Sequence, residues 1–123
     1  MTNNSQVNKI STQGVVPYNT LVGKAIDAVR TKAGVTQSDI AMALDIGQSA
    51  YSKLESGQAA MTLAQLRTIA ACLKCEPYQI LQQADYLAHE LERNGVQVPT
   101  KKEDNKAAVL IGLGLLFALM AKG

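Results

Sequence analysis

Tryptophan is absent from the 123-residue chain and phenylalanine occurs once, as Phe117, so aromatics make up only 4%. That scarcity weakens any case for a platform on which single-stranded bases stack. Cysteine is nearly as rare. Cys72 and Cys75 cannot staple a secreted scaffold, and the polar opening MTNNSQVNKISTQG is no signal peptide. A reducing cytoplasm, or the cytoplasmic face of a membrane, is therefore the expected setting. A dominant sign of charge is missing too: 12 Lys and Arg stand against 10 Asp and Glu, a net +2 with no polybasic tail. What is plentiful is short apolar side chains. Hydrophobic residues reach 47%, mostly Ala, Leu, Ile and Val, the composition of a small helical protein. The length suits one small domain with extensions rather than two cores.

The inventory for catalysis is equally thin. The single histidine, His89, lies beside Glu90 and Glu92, and the position four residues on is Arg93, so no zinc-peptidase pair forms. Cys72-x-x-Cys75 offers two thiolates where a structural zinc site needs four ligands. Gly112-x-Gly114 is followed by Phe117 where a dinucleotide loop needs its third glycine. No nucleophile elbow is present. The expectation is a protein that is not an enzyme, with no cofactor and no metal.

Composition divides the chain. Residues 1–17 are rich in Asn, Gln, Ser and Thr without apolar period, which predicts a flexible arm. From Leu21 the period becomes helical, with Val22, Ala25, Ile26 and Val29 on one face and Gly34 as the stop. Thr36 reads as an N-cap with Asp39 three residues later. Ile40, Ala41 and Leu44 give a second helix its apolar side. A third short segment runs from Gly47 to Ser56 with Tyr51 and Leu54 inward, and Gly57 ends it. Thr62 caps a fourth, with Leu63, Leu66, Ile69, Ala70 and Leu73 inward. Pro77 suits the first turn of a fifth that reaches Asn94. No segment reads as a strand. The expected fold is all-α: five helices over 18–94, a polar linker over 95–106 and a hydrophobic tail helix over 107–121.

The second and third segments make a compact helix-turn-helix in which Ala41 leaves room for a close crossing. Burying Ile40, Ala41, Leu44, Ile46, Tyr51 and Leu54 leaves Gln48, Ser49, Ala50, Ser52 and Lys53 outward. Such side chains suit a major groove: Gln can pair with adenine, Ser can donate or accept, and Ala can touch a thymine methyl. Residues 21–81 resemble the Cro/cI-type (XRE-like) helix-turn-helix family of lambda-type repressors. VGKAIDAVR, GVTQSDIAMALDIGQSAYSKLESG and LAQLRTIAACLKCEPYQIL carry the likeness. The resemblance implies that Arg30 and Glu55 form an internal ion pair. It also implies that Gln37 braces Gln48 and touches a phosphate, and that Gln48, Ser49, Ser52 and Lys53 face bases or backbone of double-stranded DNA. Three departures stand out. Asp45 replaces the turn glycine, Gly47 the capping Ser/Thr, and Gln58, Ala59 and Ala60 the basic residues after Gly57. Over 21–81 six basic residues face five acidic ones, so non-specific DNA affinity should be weak.

Ile80, Ala84, Leu87 and Leu91 are spaced four, three and four, which fits a dimer seam or the ordinary core face of an amphipathic helix. Ala84, Leu87 and Leu91 are the expected dimer contacts of a homodimer. Ala107 to Ala121 contains no polar side chain and is bracketed by Lys106 and Lys122. At 1.5 Å per residue it covers about 22 Å, short for a hydrocarbon core of roughly 30 Å. Two readings remain open: a membrane anchor, narrowly favoured because no face is polar, and a buried oligomerisation helix. The functional expectation is a sequence-specific DNA-binding repressor. The alternatives are an antitoxin with a toxin partner, or an interaction module that does not read DNA.

Overall fold

The computed structural model describes residues 14–101 and 103–122, so the expected arm lies outside the described residues except for 14–17. Six helices follow in order: α1 Tyr18–Ala33, α2 Gln37–Leu44, α3 Gln48–Ser56, α4 Leu63–Cys72, α5 Pro77–Arg93 and α6 Lys106–Lys122. The class is all-α, as the periodicity requires. Local chemistry sets the boundaries. Gly34 ends α1 at φ 74°, a left-handed position that costs glycine little. Thr36 and Thr62 each open a helix with a reciprocal capping box. Asp39 N donates to Thr36 Oγ1 at 3.0 Å and Thr36 N to Asp39 Oδ2 at 3.0 Å, and Thr62 pairs in the same way with Gln65. Pro77 occupies the first turn of α5, where its missing N–H costs nothing.

α1 is the central element, packed against α3 on one side and α5 on the other. Leu21, Ala25, Ile26, Ile40, Tyr51, Ile69, Ile80 and Leu91 form the middle of the core. Gly23 permits the α1–α3 approach: a Cβ there would stand 1.8 Å from the Glu55 carbonyl oxygen. Leu63, expected on the inner face of α4, is 81% exposed. Leu66, Ile69, Ala70 and Leu73 complete the buried stripe without it.

Residues 14–18 are tied to later parts of the chain by backbone hydrogen bonds. Val16 N donates to Gln97 O at 2.9 Å and Gln97 N to Gly14 O at 3.0 Å, making an isolated parallel bridge between Val15 and Gln97. Tyr18 N donates to Pro99 O at 2.8 Å, and Val15 N to Ala108 O at 2.8 Å. Residues 14–17, expected as the end of the arm, are buried instead, and Val96 anchors the stretch expected as linker. Buried apolar side chains account for both differences: Val15 and Val16 lie against Gly112 of α6, and Val96 is 5% exposed.

Two further expectations change for the same reason. Ala84, Leu87 and Leu91, expected at the dimer contact, are at most 2% exposed within the single chain. Val16, Val96 and Leu116 share their core, so the seam is already filled. No described helix is long and apolar enough to cross a membrane, and α6 packs on α5 with Ala108, Gly112 and Leu116 inward. Gly112 makes that docking possible: a Cβ there would lie 2.6 Å from Val15 O and 2.7 Å from Val16 Cγ2.

Candidate nucleic-acid interface

The turn between α2 and α3 is built by backbone. Asp45 adopts φ 56° and ψ 45°, its N–H donates to Met42 O at 3.1 Å, and Ile46 N donates to Ala41 O at 3.0 Å. A short polar side chain is among the few that accept this left-handed conformation, which accounts for Asp at a position where glycine would otherwise serve. Gly47 then caps α3 in an extended conformation without a side-chain oxygen.

Burial sets what α3 shows. Tyr51, Leu54 and Glu55 point inward, and Leu44 and Ile46 pack at the edge of the core. The helical period then leaves Gln48, Ser49, Ala50 and Lys53 exposed, with Ser52 half-buried beside them. One exposed strip of hydroxyl, amide, methyl and ammonium groups results. Such a strip can hydrogen-bond base edges, contact a thymine methyl and pair with a phosphate.

Behind the strip lies a network centred on Glu55, which is 5% exposed. Arg30 Nε donates to Glu55 Oε2 at 2.9 Å and Arg30 Nη2 to Oε1 at 2.9 Å, a two-pronged pair. Tyr51 Oη donates to Oε2 at 2.6 Å and Gln37 Nε2 to Oε1 at 3.1 Å. Gln48 Nε2 in turn donates to Gln37 Oε1 at 3.4 Å. Arg30 also donates to Asp27 Oδ1 at 2.9 Å and Val35 O at 3.0 Å, so its fork is used on three partners. The chain of bonds runs from α1 through the buried carboxylate to the first residue of α3. It ties Gln37 to the scaffold and brings the Gln48 amide against it.

The titration directions follow from this wiring. Burial pushes the Glu55 carboxyl upward, but the hydrogen bonds from Arg30, Tyr51 and Gln37 more than offset it, and its pKa lies below the ordinary value. Arg30 is raised, chiefly by its bonds to Glu55. The Tyr51 hydroxyl is raised by burial first and by Glu55 second, so it stays a neutral donor. The site therefore presents a locked ion pair inside and uncharged polar groups outside, with Lys53 as the free cation of the α3 strip.

Sequence reasoning did not find Tyr51 as a member of this network; its inward position was legible, but its hydroxyl partner was not. It also missed Lys24 and Asp27, which line a cavity of about 290 Å³ with Arg30, Gln37 and Ser52. Residues 26–80, the stretch holding α2, α3 and both partners of the buried pair, match the helix-turn-helix family. That match supports a DNA-binding transcription regulator of the Cro/cI (XRE-like) type. No curated protein matches the chain.

Proposed function

We propose that a chain built on a Cro/cI-type helix-turn-helix domain at residues 26–80 is a sequence-specific repressor that binds an inverted-repeat operator as a homodimer. The observation that carries this reading is the Gln37–Gln48 arrangement. An amide at the exposed start of α3 is braced, through Gln37 and Glu55, on the Arg30 pair. A braced amide has less rotamer freedom to lose on binding, which favours discrimination between bases. Gln48, Ser49, Ala50 and Ser52 read base edges in this scheme, and Lys53 and Gln37 hold phosphate oxygens. Two such helices in successive major grooves place half-site centres about 34 Å apart.

The charge balance shapes the behaviour. With Gln58, Ala59 and Ala60 following Gly57, few cations flank the strip, so binding leans on base contacts and on pairing of two copies. The protein works in the cytoplasm, where its DNA is. Footprinting of the purified protein on DNA flanking its own gene, and then genome-wide, tests the reading. A protected inverted repeat is expected. No protected site anywhere would sink it and favour an interaction module instead.

A further inference from the structure

The two glycines of α6 stand in opposite surroundings. Gly112 faces Val15 and Val16 so closely that no side chain fits, whereas a Cβ on Gly114 would meet nothing within 4 Å. A glycine in mid-helix weakens the helix, and the monomer supplies the reason for only the first. The side on which Gly114 lies is also an exposed apolar surface, bordered by the Lys24 ammonium 5.1 Å from the Phe117 ring centroid. Leu110 is 70%, Ile111 51% and Phe117 53% exposed, and Ala107, Ala118 and Ala121 continue the line with no charged residue among them. The positions repeat at three and four residues, the spacing of a seam for one further helix.

We infer that this face of α6 binds α6 of a second copy, antiparallel, with the two-fold axis at Gly114. The inference rests on the homodimer reading above and places its contact, which the filled α5 seam does not provide. Symmetry picks the occupant. About Gly114 the residues pair as Ala107 with Ala121, Leu110 with Ala118, and Ile111 with Phe117, so every apolar group meets another apolar group across the axis. A two-fold contact demands such self-complementarity, and a different partner does not. Gly114 on the axis lets the two backbones approach closely. Closing seventeen-residue helices along this face buries on the order of 1,000 Å² in total, the lower limit for a stable interface.

Sedimentation equilibrium of the full chain, without DNA or detergent, tests this. A dimer with Kd of roughly micromolar order is expected for so small a contact. Gly114→Leu should raise the Kd at least ~10-fold by holding the helices apart, while keeping the face apolar and the melting temperature at or above wild type. Leu110→Glu should leave a monomer that melts like wild type, and it guards against a folding artefact in the first variant. For orientation, paired Ala107→Cys and Ala121→Cys on a Cys72→Ala, Cys75→Ala background should cross-link two chains, and Ala107→Cys alone should not. A wild-type protein that stays monomeric at ~100 µM, or a dimer that survives both Gly114→Leu and Leu110→Glu, overturns the inference. So does a monomer that floats with phosphatidylcholine–phosphatidylglycerol vesicles, because the face would then be a lipid contact. Cross-linking by Ala107→Cys alone overturns the antiparallel axis. A footprint from a monomer would refute only the interface, and a dimer without any footprint would refute only the repressor reading.

Discussion

Glu55→Ala removes the acceptor on which four hydrogen bonds converge, and the cost can be worked from what each donor has left. Arg30 keeps Asp27 at 2.9 Å and Val35 O at 3.0 Å, so its guanidinium is not stranded. Tyr51, fully buried, loses the 2.6 Å bond through which its hydroxyl is satisfied. Gln37 is half-buried and can turn to water. Breaking a buried ion pair from one side costs about 3–5 kcal/mol, and the two remaining acceptors of Arg30 place this case near the lower end, about 3 kcal/mol. For a domain of this size that corresponds to a melting temperature lower by roughly 10–15 °C. Thermal unfolding followed by circular dichroism near neutral pH reads it directly. Glu55→Gln, which keeps an acceptor for Tyr51 and loses the charge, should fall between. The pH dependence has a definite sign. The folded carboxyl is depressed, so its stabilisation is fully present above the unfolded value of about 4.3 and is lost as pH falls through the folded pKa. The gap between wild type and Glu55→Gln should accordingly close in acid. A Glu55→Ala protein melting within about 3 °C of wild type, or a gap that widens in acid, would refute the reasoning.

Gln48→Ala should cost about 1–3 kcal/mol of specific DNA binding and relax preference at one base position, whereas Lys53→Ala should weaken all sequences alike and flatten the salt dependence. Gel-shift titrations on operator and scrambled DNA separate the two; equal effects of both changes on both DNAs would remove the division of labour. Gly23→Ala pushes a methyl onto the Glu55 carbonyl, 1.8 Å away, and should destabilise by about 3 kcal/mol or leave no folded protein, as denaturant titration will show. Gly112→Ala should cost about 1–3 kcal/mol and expose the Val15 amide to fast hydrogen exchange, since α6 must lift off the N-terminal segment. Unchanged exchange at Val15 would mean that the close approach is not needed for docking.

The parts of the fold that the sequence made legible are those set within one turn. Thr36 with Asp39 and Thr62 with Gln65 are three apart, so the capping box can be read without knowing what the helix packs against. Gly34 and Gly57 stop their helices for equally local reasons. The Arg30–Glu55 pair lies across two helices and was reached through resemblance, not through spacing. The α5 face shows where periodicity runs out. A stripe at Ala84, Leu87 and Leu91 must be buried, but the same period serves a core and a dimer seam, and only Val16 and Leu116, both distant in sequence, decide between them. The tail misled for a related reason. A helix without polar residues fits a bilayer by composition, while the contact that holds it depends on two glycines, Gly14 and Gly112, almost a whole chain apart.

That contact also sets a timetable. Val15 cannot donate to Ala108, nor can Gly112 settle on Val15, until the last helix has been made. Residues 26–80, which hold the helix-turn-helix and its buried pair, are synthesised before α6. α6 closes the domain by joining segments about a hundred residues apart in the sequence. Such a late, long-range closure carries the largest loop-closure entropy in the molecule, so the seam between α6 and residues 14–17 is where opening should begin when the protein is stressed.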